Sequence, residues 1–174
     1  MTSELDLRDY IRDIPDFPKP GIMYRDITPL LADGPAFKVS IECMSEPFRD
    51  ANVDVIVAAE ARGFIFGAPL ALELNCGFVP IRKPGKLPFD TREFKYELEY
   101  GTDTLEMHVD GVSAGQNVLV VDDLLATGGT VEACVKLLEG SGANVVGCAF
   151  LIHLLALGGA ERIAPQEAFS LIQY

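Results

Sequence analysis

Short aliphatic runs separated by helical patterns dominate the chain. Runs of this kind, rich in β-branched residues, are typical of parallel strands that are buried on both faces. Four of them predict internal strands: Val53–Ala59, Gly77–Ile81, Val118–Val121 and Asn144–Ile152. Helical spacing predicts helices between them over Ala36–Arg49, Phe64–Leu74 and Val131–Glu139, and Ala168–Gln173 is expected to be an edge strand. The alternation predicts an α/β fold with a parallel sheet of about five strands flanked by helices.

The pattern changes at the N-terminus. Ser3 is a candidate helix cap, and Leu7, Ile11 and Ile14 share one side of a helix that we expect to end at Pro15. A proline-rich turn follows. The length of 174 residues suits one domain, so we assign residues 1–174 to a single unit.

Alternation of a different period marks the middle of the chain. Phe94–Gly101 and Asp103–Val109 each alternate apolar and polar residues, which predicts two strands joined by a turn at Gly101-Thr102. Such a two-stranded arm is marginal in isolation, so we expect it to be mobile unless it packs on a ligand or partner, which is how a lid behaves.

Charge restricts the possible partners. The chain has 26 acidic and 14 basic residues, a net charge of −12, which disfavours nucleic acid and anionic membranes as partners. An anionic ligand therefore needs a local basic site. Arg82, Lys83 and Lys86 form one candidate, although a solvated loop would have the same composition. Arg62 is a second candidate, with a simple ion pair to Glu60 as the alternative.

The remaining residue types indicate no metal site. The four cysteines are far apart and are expected to be buried free thiols; they are Cys43, Cys76, Cys134 and Cys148. His108 and His153 are isolated, so structural roles are expected. No secretory signal or membrane-length apolar run is present in the sequence, and we expect a cytoplasmic protein.

The candidate chemistry is concentrated in Val118–Thr130. A buried strand ends in Asp122 and Asp123, and Thr127-Gly128-Gly129-Thr130 then leads into a helix. Glycine-rich turns at helix N-termini hold phosphates, whereas ionised carboxylates accept hydrogen bonds from hydroxyl groups. The stretch therefore predicts a site for a ribose 5-phosphate. The alternative is an Asp-rich turn with only a structural role.

Asp122–Thr130 resembles the phosphoribosyl pyrophosphate (PRPP) motif of type I phosphoribosyltransferases, in its adenine phosphoribosyltransferase version. Glu60–Phe64 is similar to the pyrophosphate loop of that family, and Leu98–Gly101 is similar to its catalytic loop. The resemblance extends from Phe17 to Tyr174. It implies a short N-terminal hood over the purine, residues 1–30, and a flexible catalytic loop, residues 83–109.

The resemblance also implies roles for individual residues. Glu99 would be the general acid/base. The PRPP-binding residues would be Arg62, Lys83, Lys86, Tyr100, Asp122, Asp123, Ala126, Thr127, Gly128, Gly129 and Thr130. The adenine-binding residues would be Met23, Tyr24, Arg25 and Leu125. Mg²⁺ would be bound mainly through PRPP and pyrophosphate, with no dedicated protein metal site.

The implied activity is purine salvage: transfer of the phosphoribosyl group from PRPP to N9 of adenine, which yields AMP and pyrophosphate, by a homodimer. One rival is a 6-oxopurine phosphoribosyltransferase; Ala126, where those relatives usually carry Asp, argues for adenine. A second rival is a non-catalytic PRPP-binding purine regulator. Three features depart from the family pattern: the Pro88–Phe94 stretch, the hydroxyl group of Tyr24, and His153 at a place where an acidic residue is expected.

Overall fold

A five-stranded parallel sheet forms the centre of the protein. The fold is that of a computed structural model, which describes residues 5–97 and 102–174. From one edge of the sheet to the other, the strands are β4 (Gly77–Ile81), β3 (Val55–Ala59), β7 (Asn117–Leu125), β8 (Asn144–His153) and β9 (Ala168–Gln173). The predicted parallel sheet is confirmed, with the carboxylate-bearing strand at its centre and β9 at one edge.

Side chains that alternate along β7 are buried in two separate apolar clusters, one on each face of the sheet. Val118 and Val120 face one apolar cluster, whereas Leu119 and Val121 face the other. Helix α4 (Gly129–Ser141) covers the first face, and helices α2 (Gly34–Ser45) and α3 (Gly63–Glu73) cover the second. Two short helices, α1 (Thr28–Ala32) and α5 (Gly159–Ile163), and 3₁₀ turns at Leu7–Tyr10, Glu46–Phe48 and Leu155–Leu157 complete the helical elements of the described residues.

The predicted N-terminal helix ending at Pro15 is wrong. Asp6 caps a single 3₁₀ turn, Leu7–Tyr10, and the chain then forms a hairpin of β1 (Arg12–Pro15) and β2 (Met23–Asp26). The antiparallel partner at Met23–Asp26 satisfies the backbone groups that a helix would have satisfied internally. Local apolar spacing could not reveal that partner.

The base of the arm packs on the body of the protein. Strands β5 (Thr91–Glu97) and β6 (Thr102–His108) pair antiparallel, and Leu105 and Met107 are buried in the cluster beneath α4. Arg92 donates a hydrogen bond to the carbonyl of Gly140 at the end of α4. These contacts supply the packing that a two-stranded arm lacks in isolation, and they fix the base of the arm against α4. The predicted turn at Gly101-Thr102 lies partly outside the described residues, and flexibility of residues 83–109 stays a prediction.

Two further expectations can be compared with the fold. All four cysteines are free, but Cys43 is exposed and Cys76 is half-buried, so the prediction of buried thiols is correct only for Cys134 and Cys148. Cys43 lies near the C-terminal end of α2 with its side chain exposed. Among the described helices, none combines the length and the apolar character that crossing a membrane requires.

Candidate active site

The central strand leads directly into a phosphate-sized turn. Strand β7 continues through both aspartates to Leu125, and α4 begins at Gly129, after Gly128 adopts a left-handed φ of 81°. A cavity of about 110 Å³ opens here, lined by Asp122 and by residues 124–131. The turn aims the N-terminal N–H groups of a 13-residue helix at this cavity, which suits an anion. The predicted residues Ala126, Thr127, Gly128, Gly129 and Thr130 are thus brought together.

A second glycine turn fixes the position of this loop. A Cβ atom on Gly159 would lie 2.3 Å from the Ala126 carbonyl oxygen, and one on Gly128 would lie 2.8 Å from the Gly159 carbonyl oxygen. The two backbones approach so closely that only glycine fits at Gly159. Arg162, one turn further along α5, pairs with Glu132 at 2.8 Å. This support was not predicted from the sequence, where the Gly158-Gly159 pair was the available signal.

The two aspartates are adjacent at the end of the central strand, with Asp123 buried and Asp122 half-buried. Burial raises the pKa of the Asp122 carboxyl group well above its usual range, and the neighbouring Asp123 charge raises it further. Burial also raises the pKa of Asp123, against the opposing effect of the Arg62 guanidinium. The Asp123 backbone N–H donates to Asp122 Oδ1 at 2.9 Å. A ligand that donates hydroxyl hydrogen bonds would stabilise the ionised pair, as a ribose diol can.

Arg62 lies between the aspartate pair and the hood. Its Nε contacts Asp123 Oδ2 at 3.0 Å, and its Nη1 donates to the Tyr24 hydroxyl oxygen. The alternative pairing with Glu60 is wrong. Glu60 instead accepts from Arg82 Nε at 2.8 Å and from the Lys83 backbone N–H at 3.0 Å. These two hydrogen bonds, led by that from Lys83, lower the pKa of Glu60.

Glu60 thereby joins the pyrophosphate loop to the basic segment. Arg82 Nη1 also donates to the Lys86 carbonyl at 3.1 Å, which holds the turn between them. Lys83 Nζ reaches across to Asp103 of β6 at 2.7 Å, and this contact raises the pKa of Lys83. The segment is therefore an ordered turn with lysine side chains at its surface. An incoming anion would have to compete with Asp103 for Lys83.

The hood residues meet the body at Arg25. Met23 is exposed, whereas the Arg25 side chain is largely covered and pairs with Asp13 on β1. The guanidinium carbon of Arg25 lies 3.7 Å from the ring centroid of Tyr174. Two main-chain hydrogen bonds hold Tyr174 in place. The Tyr174 N–H donates to the His153 carbonyl at 3.0 Å, and the Leu155 N–H donates to the Tyr174 carbonyl at 2.9 Å. Tyr174 belongs to none of the motifs, so it was not predicted to lie near the site.

The remaining predicted residues have different outcomes. Leu125 lines the cavity, but its side chain is fully buried against α5. His153 is 7% exposed at the end of β8, and its Nε2 has no hydrogen-bond partner among the described residues. The catalytic candidate Glu99 and the phosphate contact Tyr100 lie outside the described residues. Their roles stay predictions.

Comparison with known proteins agrees with this geometry. Residues 28–172 match the family model described as phosphoribosyl transferase domain. The chain is 65% identical over 170 residues to an adenine phosphoribosyltransferase of Rhodopirellula baltica, covering 98% of this chain and 82% of that protein.

Solved structures give the same result. The adenine phosphoribosyltransferase of Thermoanaerobacter pseudethanolicus superimposes with a TM-score of 0.93 at 52% identity, covering 97% of this chain and 98% of the other. The Saccharomyces cerevisiae enzyme, complexed with adenine and an imino-altritol bisphosphate, gives 0.88 at 38% identity, covering 94% and 95%. The family expected from the motifs is confirmed: this chain belongs to the adenine phosphoribosyltransferases of the phosphoribosyl transferase family.

Proposed function

We propose that this protein transfers the 5-phosphoribosyl group from PRPP to N9 of adenine, giving AMP and pyrophosphate in purine salvage. The observation that carries the proposal is the juxtaposition of a glycine turn at a helix N-terminus, the adjacent carboxylates of half-buried Asp122 and buried Asp123, and Arg62 at the carboxyl end of the central strands. Parallel sheets bind ligands at this edge. The names of the relatives at 38–65% identity support adenine over a 6-oxopurine.

For this reaction the protein mainly orients the reacting groups of PRPP and adenine and stabilises the charge that develops. As pyrophosphate departs, positive charge develops on the ribose ring, so fixed charges are more useful than a covalent nucleophile. In this proposal Ala126–Thr130 hold the 5-phosphate, and Asp122 and Asp123 accept hydrogen bonds from the ribose hydroxyls. Arg62, Lys83 and Lys86 bind pyrophosphate, assisted on the phosphate side by Tyr100.

The base is bound from the hood. Arg25 and the backbone of Met23 would lie at the base of the adenine subsite, Tyr24 would stack on the face of the purine, and Leu125 stays a predicted adenine contact. Glu99 would take the purine proton as the arm closes. Closure of the arm would exclude water from the ribose ring while positive charge develops on it.

Mg²⁺ belongs to the proposal as an ion that arrives with the substrate. Among the described residues no group of three or more His, Cys, Asp or Glu side chains is arranged to hold a metal. The carboxylate oxygens of Asp122 and Asp123 are donors of the hard type that Mg²⁺ accepts, so the residues at the cavity fit an ion bound mostly by the ligand. When bound, Mg²⁺ would neutralise charge on the pyrophosphate.

The test is a steady-state assay of pyrophosphate release with PRPP, Mg²⁺ and each of adenine, hypoxanthine and guanine. We expect turnover with adenine alone. Turnover with a 6-oxopurine instead would overturn the choice of base, and no turnover with any of the three would favour the purine regulator. A homodimer stays a prediction, which light scattering would check against twice the chain mass of 18.9 kDa. The cytoplasmic location also stays a prediction.

A further inference from the structure

Tyr24 touches the pyrophosphate loop through its hydroxyl group. The Arg62 Nη1 donates to this oxygen although the two residues are 38 positions apart. The Arg62 guanidinium carbon is 5.8 Å from the centre of the Tyr24 ring, near the outer limit for a cation–π contact. The hydroxyl, more than the ring face, therefore joins the hood to Arg62.

Arg62 is held at two points by different elements. The Tyr24 hydroxyl from β2 engages Nη1, and the Asp123 carboxylate from β7 engages Nε at 3.0 Å. A guanidinium group has five N–H donors in a rigid plane, so two fixed contacts define its orientation and leave three donors for a ligand. The Arg62 side chain is 40% exposed, which leaves it accessible to an anion.

The Tyr24 ring is supported on its other side. Phe17, in the proline-rich turn of the hood, packs edge-on against it with the ring centroids 5.1 Å apart. A base that stacks on Tyr24 would therefore meet a ring that is already attached to Arg62. Ordering of the ring by the base would also order the guanidinium.

We propose that the Tyr24 hydroxyl is a positioning group that holds Arg62 ready for pyrophosphate and so couples the base subsite to the pyrophosphate subsite. The inference rests on the proposed function for the identity of the two ligands. Tyr24 is not a catalytic residue in this scheme, because it acts through Arg62.

The test removes one oxygen atom. Calorimetric titration with magnesium pyrophosphate would compare the wild-type protein with Tyr24→Phe, in the absence and presence of adenine. We expect pyrophosphate binding to weaken about tenfold, since the lost bond is made to a charged group. Adenine affinity should change less than about twofold because the ring remains. Any enhancement of pyrophosphate affinity by adenine should shrink in the variant.

Two further variants separate positioning from a structural effect. Tyr10→Phe removes a hydroxyl from a tyrosine that precedes the hood strands, and its pyrophosphate affinity should match that of the wild type. In an Arg62→Lys background, Tyr24→Phe should have no additional effect, because the group through which the hydroxyl acts is gone. A tenfold loss that persists in this background would overturn the proposal.

The outcomes distinguish this inference from the proposed function. If the wild type turns over adenine and Tyr24→Phe binds pyrophosphate within twofold of the wild type, the positioning role is wrong and the function stands. If the wild type binds pyrophosphate, the variant loses about tenfold, and no base is turned over, the positioning role stands and the proposed function fails.

Discussion

The two halves of the candidate site are built in opposite ways. The phosphate half comes from one continuous segment, residues 122–131, at the end of the central strand, and the glycine turn at Gly159 is packed against its back. The base half is a hairpin of two four-residue strands, tied to the body through Arg25 and Tyr24. A buried strand with a helix cap gives rigidity locally, whereas a short hairpin depends on partners elsewhere in the chain.

This difference predicts separable defects. Changes around the phosphate loop should act mainly on PRPP, and changes around Arg25 should act mainly on adenine. A change at Glu99 of the arm should affect neither binding constant strongly, since Glu99 is proposed to act on the proton.

The largest effect is expected outside both halves. Glu99→Gln should lower kcat about 100-fold or more, while the KM values for PRPP and adenine change little, because an amide cannot take the purine proton. Steady-state kinetics would measure this. Glu97→Gln, two residues earlier on the same face of the alternating pattern, is the matched control. An unchanged kcat in Glu99→Gln would remove Glu99 from the mechanism.

Gly159→Ala should damage the phosphate half. The new methyl group would lie 2.3 Å from the Ala126 carbonyl oxygen, so the loop must shift, and a displacement of about 1 Å can cost about 100-fold in kcat/KM for PRPP. Gly34→Ala is the control, because no heavy atom lies within 4 Å of its new methyl group. A kcat/KM for PRPP within threefold of the wild type would show that the loop does not depend on this packing.

Asp122→Asn should weaken PRPP binding about tenfold and yet stabilise the free protein. Because the folded pKa of Asp122 is raised, the native state binds the proton more tightly than the unfolded chain, and stability falls as pH rises from the unfolded pKa through the folded one. At pH 7.5 the variant avoids this cost, so we expect Tm to rise by about 2–4 °C. The gain should vanish near pH 4. If the variant and the wild type had the same Tm at pH 7.5 as well as near pH 4, ionised Asp122 would not destabilise the folded protein, and the prediction would be wrong.

Tyr174→Leu should affect the base half alone, and least. Loss of the ring 3.7 Å from Arg25 should raise the KM for adenine about fivefold and leave the KM for PRPP within twofold. Tyr174→Phe keeps the ring and should restore the wild-type KM for adenine. If both variants raised the two KM values equally, the hood would not be an independent half.

Much of the phosphate half could be predicted from the sequence. Val118–Thr130 has the order strand, acidic pair, glycine turn and helix, and each step follows from residues that are adjacent in the chain. The sheet was predictable for the same reason, since its strands are aliphatic runs buried on both faces. The support from Gly159 was not, because 33 residues separate it from the carbonyl oxygen that it packs against.

The base half needed the tertiary structure. Apolar spacing favoured a helix up to Pro15, but pairing with Met23–Asp26 produces a hairpin. The partners of Arg25 and Arg62 are likewise distant: Tyr174 for Arg25, and Tyr24 and Asp123 for Arg62. The sequence by itself determined the parallel sheet and the loop at its central strand, because periodicity and turn chemistry are local. Only the tertiary structure decided which charges pair, because a side chain accepts whichever partner the fold brings within hydrogen-bond distance.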